Sequence, residues 1–543
     1  MSRVLVIGID GGTLDLLRPW AEEGLLPHLA RLMDEGAWGP LESTLPPVTS
    51  PAWPSFATGK NPGKHSVFDF IRPQGGEFDL VNSTSIQART LWRILSDAGR
   101  RVGVINAPVT YPPEPVNGFL IGGLLSPLGG RFTYPDGLLE PYRQELGPYR
   151  ILPSVQYKPG NEEAFLADLL DLVEQRRRYA LRLMADHPWD FMMVHFQSTD
   201  VLQHGLWKLL DPTHPLHDAQ AAARFGSTIR QVFQRIDAAV GQMAEQAGDE
   251  ATVIVMSDHG FGPLHWVVNL NLALLDAGLL QLRRDALTRL KAALFRAGLT
   301  PAAAWRAIER VGLQNLVNRV SRSTRNKVVG RFLSFDDVDW SRTRAYSIGH
   351  VGQIYVNLKG REPHGIVEPG ADYEAARQQV IEALSALRHP QTGQPLLERV
   401  IPGEQAAHGP YAGRGPDLHL VFDGYRVIAF PLFATDHRLF TRQIRGDSGC
   451  HRLHGLLIAC GPAIRRGRAE GARILDLAPT ILHLMGLPVP DDMDGRVLTE
   501  RLTLDRPVEF ARAAAPVISA EEGLTAEESA EVESRLRALG YLG

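Results

Sequence analysis

An adjacent aspartate and histidine end an apolar segment near the middle of the chain. Residues 253–262 read VIVMSDHGFG, so Asp258 and His259 follow a strand-like run and precede glycines. Where a strand turns into a glycine-containing loop, both side chains can converge on one point. Carboxylate oxygens and imidazole nitrogens both bind zinc-type ions. The pair therefore indicates a metal site. The alternative is an aspartate that caps a turn beside a packed histidine.

Two further apolar segments also end on aspartate. Residues 3–10 read RVLVIGID and residues 190–200 read DFMMVHFQSTD, which places Asp10 and Asp200 at strand ends. His204 follows Asp200 by four residues, a spacing that puts both side chains on one face of a helix. A lone aspartate after a strand usually forms a turn or caps a helix. Three such residues, two of them near a histidine, favour a shared metal-binding site.

The elements that must position these residues follow an alternating pattern. Strand-like runs occur at 3–10, 100–108, 190–200, 252–260, 342–360, 418–430 and 453–461, and helical spacing covers 26–37, 162–187 and 216–247. Strands that alternate with helices predict an α/β fold with a mostly parallel sheet. Ligands of such sheets bind at the carboxyl ends of the strands, where the three aspartates are expected to meet.

A proline-containing stretch offers hydroxyl groups. Residues 45–65 read LPPVTSPAWPSFATGKNPGKH, with hydroxyls on Thr49, Ser50, Ser55 and Thr58. Prolines at 46, 47, 51 and 54 oppose an ordinary helix at the start of this stretch, and such rigidity suits a hydroxyl that must be aimed. Lys60 and Lys64 are candidate contacts for an anionic substrate. A proline-rich loop without function is the alternative.

A late histidine completes the candidate ligands. Residues 449–464 read GCHRLHGLLIACGPAI and place His451 before an apolar strand. His454 is a rival ligand, and the spacing of residues alone does not choose between them.

Composition limits the remaining classes of function. The 543 residues carry a net charge of −4, so no global field favours a nucleic acid, and we expect no specific nucleic-acid partner. The two cysteines exclude a disulfide scaffold, so metal chemistry would use Asp, Glu and His. The sequence beginning MSRVLVIGIDGG lacks the features of a secretory signal, and no stretch of about twenty apolar residues occurs. We therefore predict a cytoplasmic location.

One segment differs in charge from the rest. Residues 281–331 contain 12 Lys or Arg but only two acids, Asp285 and Glu309, in what look like basic amphipathic helices. Three roles are open for this insertion: a solvated cap over the site, a guide for an anionic substrate, or a contact with an anionic membrane surface.

Taken in order, these motifs resemble the alkaline phosphatase superfamily, and within it the type I phosphodiesterase / nucleotide pyrophosphatase family. The resemblance covers residues 4–498 through VIGIDGG, PPVTSPAWPSFATGKNPGKH, STDVLQH, SDHGFGP, CHRLHGLLIACGP and ILDLAPTILHLMGLPVPDDMDGRVL. It implies an α/β, three-layer alkaline-phosphatase-like fold, with a mostly parallel central sheet and helices on both faces. We expect the catalytic core at 1–280 and 334–504, a basic helical insertion at 281–333 and a helical tail at 505–543.

The resemblance also implies a site with two divalent ions, usually zinc, with manganese as an alternative for the same donors. By motif position, one ion would be held by Asp10, Asp258, His259 and the nucleophile Thr49, and the other by Asp200, His204 and His451.

The function implied is hydrolysis of phosphodiester or pyrophosphate bonds in a small anionic substrate, through a phosphoryl-threonine intermediate. A threonine hydroxyl is a weak nucleophile until a bound metal ion lowers its pKa. The alternatives are a phosphomonoesterase or phosphotransferase that uses the same site, and a non-catalytic binding protein on this fold. The absence of arginine from residues 45–65 favours a diester over a monoester, which carries more charge.

Overall fold

A computed structural model describes residues 3–74, 77–300, 303, 333–349, 351–430, 437–442, 446–515 and 523–539. The strands are β1 (Arg3–Ile9), β2 (Ala37–Glu42), β3 (Ile71–Gln74), β4 (Glu77–Leu80), β5 (Val102–Ala107), β6 (Gly118–Gly122), β7 (Thr133–Tyr134), β8 (Phe191–Phe196), β9 (Ala251–Met256), β10 (Gly260–Pro263), β11 (Trp266–Asn269), β12 (Ala345–Ser347), β13 (Gln353–Val356), β14 (Leu397–Pro402), β15 (Leu418–Phe422), β16 (Val427–Phe430), β17 (Phe440–Thr441), β18 (Gly449–Arg452), β19 (His454–Cys460), β20 (Gly467–Arg468), β21 (Ala472–Arg473), β22 (Val489–Pro490) and β23 (Phe510–Ala511). The α-helices are α1 (Leu14–Glu22), α2 (Pro27–Glu35), α3 (Thr49–Thr58), α4 (Pro62–His65), α5 (Leu91–Asp97), α6 (Arg143–Leu146), α7 (Glu162–Asp186), α8 (Ser198–Leu210), α9 (Ala219–Ala247), α10 (Leu270–Asp276), α11 (Ala286–Arg296), α12 (Ala371–Ser385), α13 (Gly403–Ala406), α14 (Leu477–Leu484) and α15 (Ala526–Leu539).

The central sheet has the order β20-β2-β19-β9-β1-β8-β5-β6-β7, with β21 paired to β2. Its middle strands β9, β1, β8, β5 and β6 are parallel, whereas β19 runs antiparallel to both β9 and β2. The apolar runs that predict buried strands are therefore the middle of this sheet, where both faces are covered.

Helices cover the sheet on both faces because its strands are apolar on both sides. In β1, Leu5 and Ile7 pack into a core with residues of α2, α7, α8 and α9, whereas Val4 and Val6 face a second core with residues of α3, α5 and α14. Alternate side chains of a strand point to opposite faces, so one strand supplies both cores. The predicted α/β fold with helices on both faces is confirmed.

A second, smaller sheet has the order β12-β13-β15-β16-β11-β17, with β14 paired to β15. Helices α10 and α12 pack on it, and so does α11, which buries Phe295 there. Helix α11 lies in the predicted basic insertion; residues 301–302 and 304–332 of that insertion are outside the described part of the chain. The domain limits of the sequence analysis stay predictions.

The predicted tail helix is α15. Its N-terminus has the reciprocal bonds of a capping box: the Glu528 carboxylate accepts from the Thr525 amide at 2.9 Å, and the Thr525 hydroxyl oxygen accepts from the Glu528 amide at 3.2 Å. Across the described ranges, we find no helix that combines the length and apolarity needed to cross a bilayer.

Candidate dinuclear metal site

Three parallel strands bring the predicted aspartates together. Asp10 follows β1 directly, Asp258 lies just after β9, and Asp200 lies in the first turn of α8 after β8. Because β9, β1 and β8 are neighbours in the sheet, their carboxyl ends meet at one edge. All three carboxyl groups are buried.

The first cluster contains Asp10, Asp258 and His259, whose potential ligand atoms all lie within 4.8 Å of one another. Nε2 of His259 is 3.3 Å from Oδ2 of Asp258 and 3.7 Å from Oδ1 of Asp10. The Nδ1–H of His259 donates to the carbonyl of Gly260 at 3.1 Å, which leaves Nε2 as the acceptor that faces the carboxylates. The Thr49 hydroxyl donates to this Nε2 at 3.2 Å.

The second cluster contains Asp200, His204 and His451. Oδ1 of Asp200 is 3.5 Å from Nε2 of His204 and 3.3 Å from Nε2 of His451, and the two Nε2 atoms are 3.0 Å apart. Nδ1–H of His451 donates to the carbonyl of Pro47 at 2.9 Å, so its Nε2 is directed at the cluster.

The pairing of two short strands determines which of the two late histidines, His451 or His454, lies beside the clusters. Strand β18 pairs with β10 so that His451 lies opposite Phe261, beside the loop that carries His259. His454 begins β19, pairs with Glu42 and is exposed. The structure thus brings His451, and not His454, to the clusters.

The two clusters adjoin each other. The rings of His259 and His451 stack with their centroids 3.7 Å apart and their planes at 19°. Since the two rings belong to different clusters, the structure forms one continuous group of six side chains beside the Thr49 hydroxyl.

Burial and mutual repulsion shape the electrostatics of the first cluster. Burial, followed by the charges of Asp258 and Asp200, raises the pKa of Asp10 well above its ordinary range. Burial and the charge of Asp200 raise the pKa of Asp258 to about 7. Burial lowers the pKa of His259 to about 4. The metal-free site therefore has neutral histidine beside carboxyl groups that ionise with difficulty.

The second cluster balances its own charge. Burial alone would raise the pKa of Asp200, but the charge of the neighbouring His204 and its hydrogen bond to the Asp200 carboxylate lower it well below its ordinary range. Burial alone would lower the pKa of His204, but the charge of Asp200 and its hydrogen bond with His204 outweigh burial and raise that pKa. Burial lowers the pKa of His451 to about 4.

The donor atoms fit divalent cations. Oδ1 of Asp10 and Oδ2 of Asp258 are buried and have no hydrogen-bond partner among the residues that the structure describes. Buried carboxylate oxygens are normally hydrogen-bonded or bound to a cation. A cation between them would satisfy both oxygens and remove the repulsion that raises their pKa values.

Thr49 is the first residue of α3, a helix whose residues are all buried. The prolines at 46 and 47 precede the helix, but Pro51 and Pro54 lie within it, so the expectation that these four prolines oppose a helix is wrong from Thr49 onward. Pro51 is compatible with the helix because it lies in the first turn, where a backbone N–H has no partner within the helix. Pro54 lies inside the helix and is tolerated there.

The two lysines of this stretch have other partners. Lys60 forms an ion pair with Asp492, and Nζ of Lys64 lies 2.5 Å from Oδ1 of Asp494. These pairs tie residues 60–64 to the loop after β22, so the idea that these lysines contact substrate loses its support.

Sequence reasoning missed His195 at this site. Its Nε2 lies 2.9 Å from Oδ2 of Asp10, and its Nδ1–H donates to the carbonyl of Asn106 at 3.0 Å. Its signal in the sequence is a lone polar residue within the otherwise apolar strand FMMVHF.

A model of the type I phosphodiesterase / nucleotide pyrophosphatase family matches residues 4–431. This match covers more than half of the 543 residues, so the chain belongs to that family. The predicted membership of the alkaline phosphatase superfamily is confirmed.

Solved structures share the fold at low sequence identity. Phosphonoacetate hydrolase from Sinorhizobium meliloti 1021, in complex with phosphonoacetate, gives a TM-score of 0.54 at 16% identity, over 88% of this chain and 94% of that chain. Human ectonucleotide pyrophosphatase / phosphodiesterase 5 gives a TM-score of 0.50 at 15% identity, over 93% of this chain and 100% of that chain. The alkaline-phosphatase-like architecture predicted from the motifs is thereby confirmed.

A curated relative matches only a short piece of the chain. The 2,3-bisphosphoglycerate-independent phosphoglycerate mutase of Cereibacter sphaeroides is 53% identical over 45 residues, which are 8% of this chain and 8% of that protein.

Proposed function

We propose that the protein is a two-metal-dependent hydrolase of phosphodiester or pyrophosphate bonds, with Thr49 as its nucleophile. The observation that carries this proposal is the Thr49 hydroxyl, which lies 3.2 Å from His259 Nε2 beside two adjoining clusters of ligand atoms. Membership of the type I phosphodiesterase / nucleotide pyrophosphatase family supports the same reaction.

The side chains divide into two ligand sets. The first set would be Asp10, Thr49, Asp258 and His259, and the second Asp200, His204 and His451. Divalent ions bound there would lower the pKa of the threonine hydroxyl and withdraw charge from the phosphoryl oxygens. We assign zinc to both sets, with manganese as the alternative, because oxygen and nitrogen donors suit both metals.

The reaction would proceed in two displacements. The Thr49 oxygen, after loss of its proton to solvent, forms a bond to phosphorus while the bond from phosphorus to the leaving oxygen breaks. Water then attacks the phosphoryl-threonine, the bond from phosphorus to Thr49 breaks, and Thr49 regains a proton. The N-terminus of α3 carries partial positive charge, which favours the negative charge of the phosphoryl group.

Substrate preference tests the proposal. We expect a higher kcat/KM for bis(p-nitrophenyl) phosphate than for p-nitrophenyl phosphate, and we expect a chelator to abolish both activities. A preference for the monoester would support the alternative, a phosphomonoesterase or phosphotransferase at the same site. Zinc binding without turnover of either ester would favour a non-catalytic binding protein.

A second proposal concerns the surface of α11. Leu287, Leu290 and Leu294 are 62%, 55% and 40% exposed and follow helical spacing along one face. Thr288 and Phe295 are buried on the side that packs against the second sheet. The helix thus presents an apolar stripe to solvent.

Exposed arginines accompany this leucine stripe. These arginines are Arg283, Arg284, Arg289 and Arg296. None of them forms an ion pair with another residue that the structure describes. Helices with an apolar face and basic residues beside it lie in the plane of anionic membrane surfaces. We propose that the protein is cytoplasmic and that α11 contacts such a surface from the cytoplasmic side.

Co-sedimentation with vesicles tests the membrane contact. We expect binding to vesicles of phosphatidylserine and phosphatidylcholine that weakens with salt, and none to phosphatidylcholine alone. The double variant Leu290→Ser, Leu294→Ser should lose this binding, whereas Leu128→Ser, at a leucine elsewhere that is 61% exposed, should keep it. Equal binding by all three proteins would contradict the proposal.

A further inference from the structure

His195 connects a proposed metal ligand to the backbone of a neighbouring strand. It lies in β8 and is completely buried. Its Nδ1–H donates to the carbonyl of Asn106, in β5, at 3.0 Å, and its Nε2 is 2.9 Å from Oδ2 of Asp10, where one proton, on either of these two atoms, makes the hydrogen bond between them. Both nitrogens are therefore occupied by protein atoms, so His195 itself has no nitrogen left for a metal ion.

We infer that His195 is a positioning residue for Asp10. The aspartate has two oxygens, and His195 holds Oδ2 while Oδ1 has no hydrogen-bond partner in the part of the chain that the structure describes. Oδ1 is the oxygen that lies toward His259, at 3.7 Å from its Nε2. The terminal torsion of an aspartate is broad, so this hydrogen bond selects which oxygen faces the cluster.

The backbone of Asp10 is fixed independently of His195. Its N–H donates to the carbonyl of Phe196 at 3.0 Å, and its carbonyl accepts from the hydroxyl of Thr199 at 2.6 Å. Loss of His195 would therefore leave Asp10 in place and free only its carboxylate to rotate. This distinguishes a role in orientation from a general role in folding.

His195 also contacts the helix of the nucleophile. Its ring packs edge-on against Trp53, with centroids 4.7 Å apart. Trp53 lies one turn after Thr49 in α3. Gly8 allows this approach, because a Cβ at that position would lie 2.6 Å from the Trp53 ring and 3.2 Å from the His195 ring. His195 thus contacts both Asp10, a proposed metal ligand, and α3, the helix that begins with Thr49.

The inference rests on the proposed metal site, and side chains that orient ligands typically affect metal affinity by about 10- to 100-fold. The test compares zinc affinity and stoichiometry, by competition with a chromophoric chelator, in wild type, His195→Asn and His195→Gln. The amide nitrogen of glutamine can reach the position of ring Nε2, whereas asparagine reaches only that of Nδ1. His65→Asn is the matched control: His65 is equally buried, and its Nε2 lies 2.9 Å from the Ser55 hydroxyl, away from the proposed ligands.

We expect His195→Asn to bind one zinc ion with wild-type affinity and the other about 10- to 100-fold more weakly, with His195→Gln between the two. His65→Asn should bind both ions as the wild type does. Wild-type affinity for both ions in His195→Asn would overturn the inference while leaving the proposed function intact. Equal weakening of both ions in His195→Asn and His65→Asn would also overturn it, since it would indicate a structural effect. A wild-type protein that binds no divalent ion would overturn the proposed function itself.

Discussion

Replacing Asp258 by asparagine should stabilise the metal-free protein and remove its response to metal. Asp258 is buried, and its pKa is raised to about 7 by burial and by the charge of Asp200. Asparagine has the same shape without the charge. Its oxygen can still accept from the Gly11 amide, which is 3.2 Å from Oδ1 of Asp258, and its amide would face Nε2 of His259, now 3.3 Å from Oδ2.

The size of the expected stabilisation follows from the shift in the pKa of Asp258, from its ordinary value of 3.8 to about 7. The folded protein holds this proton more tightly than the unfolded chain does. The metal-free protein therefore loses stability as pH rises from about 4 to about 7. At pH 7.5 the ionisation of Asp258 in the folded protein lowers the free energy of unfolding by about 4 kcal/mol. Because the new amide must find partners in a buried site, we expect Asp258→Asn to raise the free energy of unfolding by about 1–4 kcal/mol.

The assay is denaturant unfolding at pH 7.5, in chelator and again with excess zinc. Wild type should gain stability on addition of zinc, since an ion that binds only the folded state shifts the equilibrium toward it. In chelator, Asp258→Asn should have a higher free energy of unfolding than wild type, and added zinc should raise that free energy much less. A variant less stable than wild type in chelator would refute the argument that the carboxylate is destabilising without metal. An equal gain with zinc in both proteins would refute its role as a ligand.

Two further predictions follow from the same region. Zinc affinity should fall as pH is lowered from 8 to 6, by about tenfold from the protonation of Asp258 alone, because only the deprotonated carboxylate binds the ion; a pH-independent affinity in chelator competition would contradict this. Gly8→Ala should lower the free energy of unfolding by about 1–3 kcal/mol, because the added Cβ would lie 2.6 Å from the Trp53 ring. Unchanged denaturant unfolding of this variant would show that Trp53 moves aside freely.

The meeting of the aspartates at one edge of the sheet could be predicted from the sequence because their positions depend on local pattern. Asp10 and Asp258 each end an apolar run, and any parallel arrangement of those strands brings their ends to one edge. His204 follows from helical spacing after Asp200.

Other parts of the site depend on contacts between distant segments, which no local pattern encodes. The choice of His451 over His454 depends on the pairing of β18 with β10, about 190 residues away in sequence. His195 escapes notice because it lies inside a buried apolar strand, where a histidine usually has only a structural role. The second sheet consists of short strands scattered between residues 266 and 441, so its pairing could not be read from periodicity.

The most direct test of the central claim is to trap the covalent intermediate. Zinc-loaded enzyme is mixed with bis(p-nitrophenyl) phosphate, quenched in acid within one turnover, digested and analysed by mass spectrometry. We expect a p-nitrophenyl phosphoryl group on Thr49 that is lost at later times and is absent from Thr49→Ala, whose kcat should fall by about 10³-fold or more. Modification at another residue, or full turnover by Thr49→Ala, would contradict this expectation.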